Sequence, residues 1–361
     1  MGRANVLNGV AAVHLAKCGY DEAAACYNRA LGIFNHIGND LGRANSLRGL
    51  GNVHHASRRY HEAVESFHEA EGLFTQIGNN MERADVLNRI GAIQFLQSRH
   101  LEARLCFIEA LDIYSRANND LGRANSLRGL GCLNHIQGQY REAETVLVEA
   151  EGIYSRIGND FDRANSLTGL GSVCHNQTRY KEALEYFKEA ERIYTRIDTD
   201  VLRASALNGI AAVHLAEAEY SEAKACYTEV FSIYNRIGDD LGRAYSLRGL
   251  GCVDYLESRY KGAEQRFREA ESVCAGVGNE EGRANALFLI ASALLKQNRH
   301  FMAKATYDRA LNICTSIRNN EGGADTPDRR MGVRLGTICI DQMRRSIPCQ
   351  WKVLWSEPSF L

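Results

Sequence analysis

Amide and guanidinium side chains recur at the same two places every forty residues, and they are the first candidates for chemistry in this chain. Counting in steps of forty from residue 1, place 5 reads Asn5, Asn45, Asp85, Asn125, Asn165, Ser205, Tyr245 and Asn285. Place 8 reads Asn8, Arg48, Asn88, Arg128, Thr168, Asn208, Arg248 and Phe288. An asparagine amide both donates and accepts, so it can pair with the backbone of an extended peptide whatever its sequence. Arginine presents a rigid fork suited to carboxylate or phosphate. Place 12 carries only short side chains: Ala12, Asn52, Ala92, Cys132, Ser172, Ala212, Cys252 and Ser292. Together they predict a shallow groove, floored by small residues and edged by amides and guanidiniums. The candidate peptide-binding residues are Asn5, Asn8, Asn45, Arg48, Asn52, Asn88, Asn125, Arg128, Asn165, Asn208 and Arg248. The expected occupant is an extended, partly acidic segment of a partner protein. The alternative is a solvated polar face copied by duplication, with no ligand.

Other chemistry has weaker support. Arginine fills place 3 in every copy, from Arg3 to Arg283, and reads most simply as a structural partner for acids or carbonyls of the preceding helix end. His54, His55, His61 and His68 cluster, and His14 and His214 share place 14, but no Cys-x-x-Cys or His-Glu-x-x-His accompanies them. A metal site needs several converging ligands, so no metal and no cofactor is expected. The eleven cysteines are odd in number and scattered, as reduced core thiols of a cytoplasmic protein would be. No phosphate loop, Gly-x-Ser-x-Gly elbow or kinase set is present, and Gly49-Leu50-Gly51 sits in a helical register rather than after a strand. Catalysis is not expected.

Charge narrows the partners. With 43 basic and 44 acidic residues the formal charge is −1, which gives no excess of cations for gripping nucleic acid or an acidic membrane surface. No apolar run approaches a membrane span, and the amino end lacks a signal-peptide layout. An RNA-binding helical repeat would need a basic face and has little support.

The elements that must position these side chains follow from the same period. Cutting every forty residues aligns residues 1–320 without an insertion, giving copies at 1–40, 41–80, 81–120, 121–160, 161–200, 201–240, 241–280 and 281–320. Leucine holds place 7 and alanine places 4 and 23 throughout. In 41–80, Leu47, Leu50, Val53 and His54 share one helical face, and Tyr60, Ala63, Phe67, Ala70, Leu73 and Phe74 share another. Ala56-Ser57-Arg58-Arg59 supplies the turn between them, with Gly19 or Gly138 near that place elsewhere. Gly78 suits the left-handed end of the second helix, and Asn80 or Asp40 is expected to cap the next one. Small residues at Gly49, Gly51, Ala63 and Ala70 allow close approach, and Leu50, Tyr60 and Phe67 fill the remaining space. All three prolines and both tryptophans lie beyond residue 320, which marks a boundary near 320–326.

The run Leu47…Leu50-Gly51…Tyr60…Ala63…Phe67…Ala70 resembles the tetratricopeptide (TPR) pattern, and the forty-residue copy with Gly-Asn/Asp at its end resembles the extended variety of Pins-type polarity adaptors and of TPR arrays in some fungal NLR-like proteins. That resemblance implies an all-α, right-handed superhelical solenoid of antiparallel helix pairs, with the first helix of each pair on the concave side. It implies a protein–protein interaction scaffold, or the sensor arm of a larger signalling protein whose effector domain lies elsewhere. Where the Pins type repeats asparagine after Leu-Gly, this chain keeps only Asn52, so that family's peptide contacts do not transfer wholesale. Copies starting at 41, 121, 161 and 241 share a glutamate-rich second helix, and the others differ, giving the order ABABBABA.

Neither end reads as a natural cap. The chain opens at the first place of a full copy, and Glu321-Gly322-Gly323-Ala324-Asp325 starts a ninth before Thr326-Pro327-Asp328 abandons the pattern. The expectation is a truncated array or a gene model that leaves its frame near 326. The alternative is a true terminal segment whose apolar residues, Trp351, Val353, Leu354 and Trp355, cover the last helix.

Overall fold

A computed structural model describes residues 1–320, with side chains to residue 317. The terminal segment 321–361, and both readings of it, lie outside the described residues. Among the described residues every element is an α-helix. They run as α1 (Gly2–Ala16), α2 (Tyr20–Ile37), α3 (Asp40–Ala56), α4 (Tyr60–Gln76), α5 (Asn80–Leu96), α6 (His100–Arg116), α7 (Asp120–Ile136) and α8 (Tyr140–Ile157). There follow α9 (Asp160–Asn176), α10 (Tyr180–Arg196), α11 (Asp200–Ala216), α12 (Tyr220–Ile237), α13 (Asp240–Leu256), α14 (Tyr260–Gly276), α15 (Glu280–Lys296) and α16 (His300–Asn320). The chain divides into two compact units, Met1–Val173 and Cys174–Leu361.

Within each unit consecutive helices pack on one another, from α1 to α8 and from α10 to α16, as repeated helix pairs must, because one pair cannot bury its apolar face alone. In the first unit α1 also packs on α3 and α5 on α7, so first helices draw together on one side. Invariant alanine makes the contact close: Ala23, Ala63, Ala103, Ala143, Ala183, Ala223, Ala263 and Ala303 are all fully buried. Glycine makes it closer at places 9 and 11. A Cβ on Gly49 would stand 2.3 Å from the Tyr27 ring, and one on Gly51 would stand 2.6 Å from the Phe67 ring. Gly249 with Tyr227 and Gly251 with Phe267 repeat the arrangement in the second unit.

The ends of the helices show one shift from the expected pattern. The cap is place 39, not place 40: Asn39, Asn79, Asn119 and Asn279 accept from the backbone amide three residues on, at 2.6, 3.3, 2.7 and 2.9 Å. Asp40 and Asn80 are already the first helical residues. Place 38 is left-handed as expected, with Gly78 at φ +72. Place 18 is left-handed as well, yet only Gly138 is glycine there; Cys18, Arg58, Ser98, Thr178, Ala218, Ser258 and Asn298 all hold φ near +60. A Cβ in that conformation costs about 1–2 kcal/mol. Ala218→Gly is therefore expected to raise stability by about 0.5–1 kcal/mol after the extra freedom of unfolded glycine is subtracted. Urea denaturation would show it as a higher midpoint with an unchanged slope; a lower midpoint would contradict it.

Place 3 explains the alternation of copies. After each glutamate-rich second helix, the next arginine reaches back to its place-31 carboxylate: Arg83 to Glu71 at 2.6 Å, Arg163 to Glu151 at 2.7 Å, Arg203 to Glu191 at 2.8 Å and Arg283 to Glu271 at 3.0 Å. Where that glutamate is lacking, Arg43 pairs with Asp40 at 2.8 Å and Arg243 with Asp240 at 3.0 Å within their own helices, and Arg123 pairs with Glu149 of α8 at 2.5 Å. These half-exposed pairs each contribute well under about 1 kcal/mol, so they set register more than stability.

Candidate functional site

Places 5 and 8 are three residues apart and share a face of each first helix. In the first compact unit their polar heads pair mostly with side chains at other places of the same or the following copy. Asn8 Oδ1 accepts from Ser46 Oγ at 3.1 Å, and Asn88 Oδ1 accepts from Ser126 Oγ at 2.9 Å. Both serines are fully buried, and each hydroxyl also lies within reach of the carbonyl four residues back, Gly42 O at 2.9 Å and Gly122 O at 3.1 Å.

The arginines at place 8 behave differently from the free forks expected. Arg48 donates to Glu82, lies 3.6 Å from Asp85, and donates to Asn45 Oδ1 at 3.4 Å. Asp85 in turn pairs with Arg89 at 2.9 Å, and Arg89 donates to Asn52 Oδ1 at 3.1 Å. Arg128 lies 3.6 Å from Asp162 and shares a hydrogen bond with the Tyr154 hydroxyl, which donates to Asn125 Oδ1 at 2.6 Å. Both guanidiniums are thus neutralised by a carboxylate of the following copy. What the stripe retains for a ligand there is its Nδ2 donors, with Oδ1 of Asn8, Asn45, Asn52, Asn88 and Asn125 already accepting. Asn5 is exposed, and Asn165 and Asn208 are half-buried.

The floor also divides. In the first unit Asn52 and Cys132 are half-buried and Ala92 is exposed, whereas Ala212, Cys252 and Ser292 of the second unit are buried. The expected exposure of place 12 therefore fails in the second unit. Arg248 is only 6% exposed, and its guanidinium lies over the Tyr245 ring at 4.9 Å from the centroid.

In three copies place 14 is a polar pin between the two helices of a pair. His54 pairs with Ser66 at 3.3 Å, Gln94 accepts from Cys106 at 3.4 Å, and Asp254 accepts from Arg266 at 2.7 Å. The signal was present in the sequence: place 26 lies twelve residues on, facing it across the turn. Asp254 also accepts from Arg259 at 2.6 Å. Burial alone would raise its carboxyl, but the two arginines outweigh it and hold the group below the usual carboxylate range.

Cysteine chemistry has no foothold on this face. The nine cysteines of the described residues are free thiols. Burial pushes Cys106 up to about 11 and raises Cys132, Cys226 and Cys274. A thiol kept protonated at neutral pH is a poor nucleophile and a poor ligand. Among the described residues no group of three or more His, Cys, Asp and Glu side chains is placed to hold a metal, and no helix is long and apolar enough to cross a membrane. A shallow depression of ≈ 530 Å³ beside α5 and α6, lined by residues such as Arg83, Glu109 and Arg116, includes none of the places 5, 8 or 12.

Tetratricopeptide repeat family models match residues 2–76, 82–156, 137–196, 202–275 and 284–316. No curated protein matches the sequence. Among solved structures the fold resembles aspartyl phosphate phosphatase F from Bacillus subtilis, with a TM-score of 0.64 and 14% identity over 83% of this chain and 77% of that one. It also resembles a Rap protein complexed with competence and sporulation factor, with a TM-score of 0.60 and 14% identity over 88% and 98% of the two chains. A third is a signal transduction ATPase from Pyrococcus horikoshii with a tetratricopeptide repeat sensor, at a TM-score of 0.64 and 11% identity; the likeness covers 86% of this chain and 47% of that one. At these identities the likeness is one of fold.

Proposed function

This chain belongs to the tetratricopeptide repeat family, and we propose that it is a non-catalytic protein-interaction scaffold whose first-helix faces hold an extended segment of a partner protein. The observation that carries the reading is the amide ladder. Asn5, Asn8, Asn45, Asn52, Asn88, Asn125 and Asn165 recur on the first helices of the first unit, and Asn208 does so in the second, each with an Nδ2 donor that can pair with a peptide carbonyl. A solved structure of similar fold, the Rap protein, is complexed with competence and sporulation factor, which supports a binding role for the present chain.

A non-catalytic role fits the first-helix face of the described residues. Although one structure of similar fold is named a phosphatase, the face here offers amides, paired arginines and protonated thiols rather than a nucleophile with its base. The sensor-arm reading is favoured by one observation, the likeness to the repeat-bearing ATPase. It is compatible with the same groove, because a sensor also reads a ligand.

The test is selection of random dodecapeptides on the full chain, followed by affinity measurement on Asn45→Ala/Asn88→Ala. Each lost backbone-directed bond is expected to weaken binding about five- to tenfold. Equal affinity for both proteins would remove binding from this face.

A further inference from the structure

The first helix shows to solvent a face that every later first helix buries. At places 6, 10 and 13 the seven later copies are at most 7% exposed, whereas Val6, Val10 and Val13 of α1 are 65%, 40% and 54% exposed. The later helices are covered by a known element: α3, α5 and α7 of the first unit and α11, α13 and α15 of the second each pack against the second helix of the preceding copy. Two glycines turn that face into a fitted socket. Gly249 admits the place-27 ring of the preceding copy, Tyr227, and a Cβ there would stand 2.5 Å from it. Gly209 with Phe187 at 2.5 Å and Gly129 with Phe107 at 2.6 Å repeat the fit. Gly282 admits the place-34 side chain, Cys274, whose Sγ would stand 2.8 Å from a Cβ. On α1 the same two places are Gly9 and Gly2, and nothing among the described residues comes within 4 Å of a Cβ at either. Places 2, 6, 9 and 13 share one stripe of a helix, so the open sockets and the exposed valines form one continuous face.

The matching piece is α16. Among the described residues it is the one second helix with no first helix after it. Its places 27 and 34 are Tyr307 and Cys314, the same residue types that fill Gly249 and Gly282 in the interior. In the seven earlier copies place 27 is at most 7% and place 34 at most 9% exposed, but Tyr307 is half-buried and Cys314 is exposed. Ala303 and Ala310 keep the small residues that let a neighbouring helix approach.

We propose that α1 of one molecule docks on α16 of a second molecule of this chain, with Tyr307 over Gly9 and Cys314 over Gly2, so that molecules join head to tail. The contact repeats an interior junction, apolar on both sides and with a small residue under each side chain. Each molecule keeps one free face after pairing, so the contact is heterologous and propagates instead of closing as a two-fold dimer. A repeat array is kept apart from its neighbours by a polar outer face on its terminal copies, and Val6, Val10 and Val13 give α1 the opposite character.

Sedimentation of the full chain at rising concentration is expected to show species larger than a dimer. Gly9→Phe fills the socket from within, at a place where a Cβ meets nothing, so the fold is kept and association weakens about tenfold or more. Gly32→Phe is the control, at an exposed glycine of α2 that also has nothing within 4 Å, and should associate as wild type does. Cys314→Arg blocks the other face by forcing a charge into the contact. Each blocked chain alone is expected to be monomeric with its helix content unchanged. An equimolar mixture of the two should form dimers and stop there, because Gly9→Phe retains α16 and Cys314→Arg retains α1. A mixture that stays monomeric while wild type associates would overturn the pairing and point to α1 meeting α1. A wild-type chain that is monomeric at every concentration, or Gly9→Phe associating no more weakly than Gly32→Phe, would overturn it as well.

Discussion

Phe67→Ala is expected to cost about 3–5 kcal/mol of stability in the first compact unit, as loss of a fully packed aromatic side chain does. The ring is 1% exposed and lies edge-on to the α3 backbone, where only hydrogen separates it from Gly51. The partner position makes the prediction sharper. Gly51→Ala alone places a Cβ 2.6 Å from the ring, and such overpacking costs about 1–3 kcal/mol, offset by about 1 kcal/mol of better helix propensity. With Phe67 already cut to alanine, the same methyl enters vacated space. Gly51→Ala should then be neutral or stabilising. The double variant should therefore lose less than the two single losses combined, by about 1–2 kcal/mol. Hydrogen exchange of α3 and α4 amides measures this locally, which matters because a chain with two compact units need not unfold in one step. Strict additivity would mean that glycine at place 11 is not there to admit the aromatic ring.

Asp254→Ala is expected to cost about 3 kcal/mol in the second unit, at the low end for breaking a buried ion pair. The low end applies because Arg259 and Arg266, 45% and 33% exposed, can turn to water once the carboxylate is gone, while Asp254 itself is 4% exposed. The same group sets a pH dependence. Its carboxyl lies below the ordinary value in the folded chain, so it adds stability that is complete above the unfolded value of about 4 and is lost as pH falls below that toward the folded value. Glu264, paired with Arg268 at 2.6 Å and Arg299 at 2.9 Å, is lowered for the same reason against its own burial and acts in the same window. Urea midpoints compared at pH 7 and pH 3.5 should fall for the wild-type chain and fall less for Asp254→Asn. An equal drop in both would show that other carboxylates carry the acid sensitivity.

The helices and their packing were legible because the forty-residue period repeats every cue, and one ambiguous copy is corrected by its neighbours. Ala23 and Gly51 could be read as close-approach residues from type alone. The cap at Asn39 rather than Asp40 was not legible, since two adjacent polar residues can each cap and only the backbone angle of residue 39 chooses. Neither was left-handed Arg58, which looks like an ordinary turn residue; there the Arg58 and Arg59 amides donate to His55 O at 3.0 Å and His54 O at 2.8 Å and close the end of α3. The site was half legible. Place 8 was correctly on the first-helix face, but Arg48 and Arg128 were read as free forks when each is met by an acid 34 residues on, at Glu82 and Asp162. The spacing is present in the sequence but spans two copies, because ion pairs in a stack form between copies.

The most direct test of the scaffold is to locate the partner segment on the protein. A photo-crosslinking amino acid placed at Asn45 or Asn208, on first helices, is compared with one at Leu105, which is 67% exposed on the second helix α6, and one at Glu185 on the second helix α10. The expected result is covalent capture of a selected dodecapeptide from Asn45 or Asn208 and none from Leu105 or Glu185. Capture from Leu105 or Glu185 with none from the first helices would contradict the proposal and move the interaction to the opposite helices.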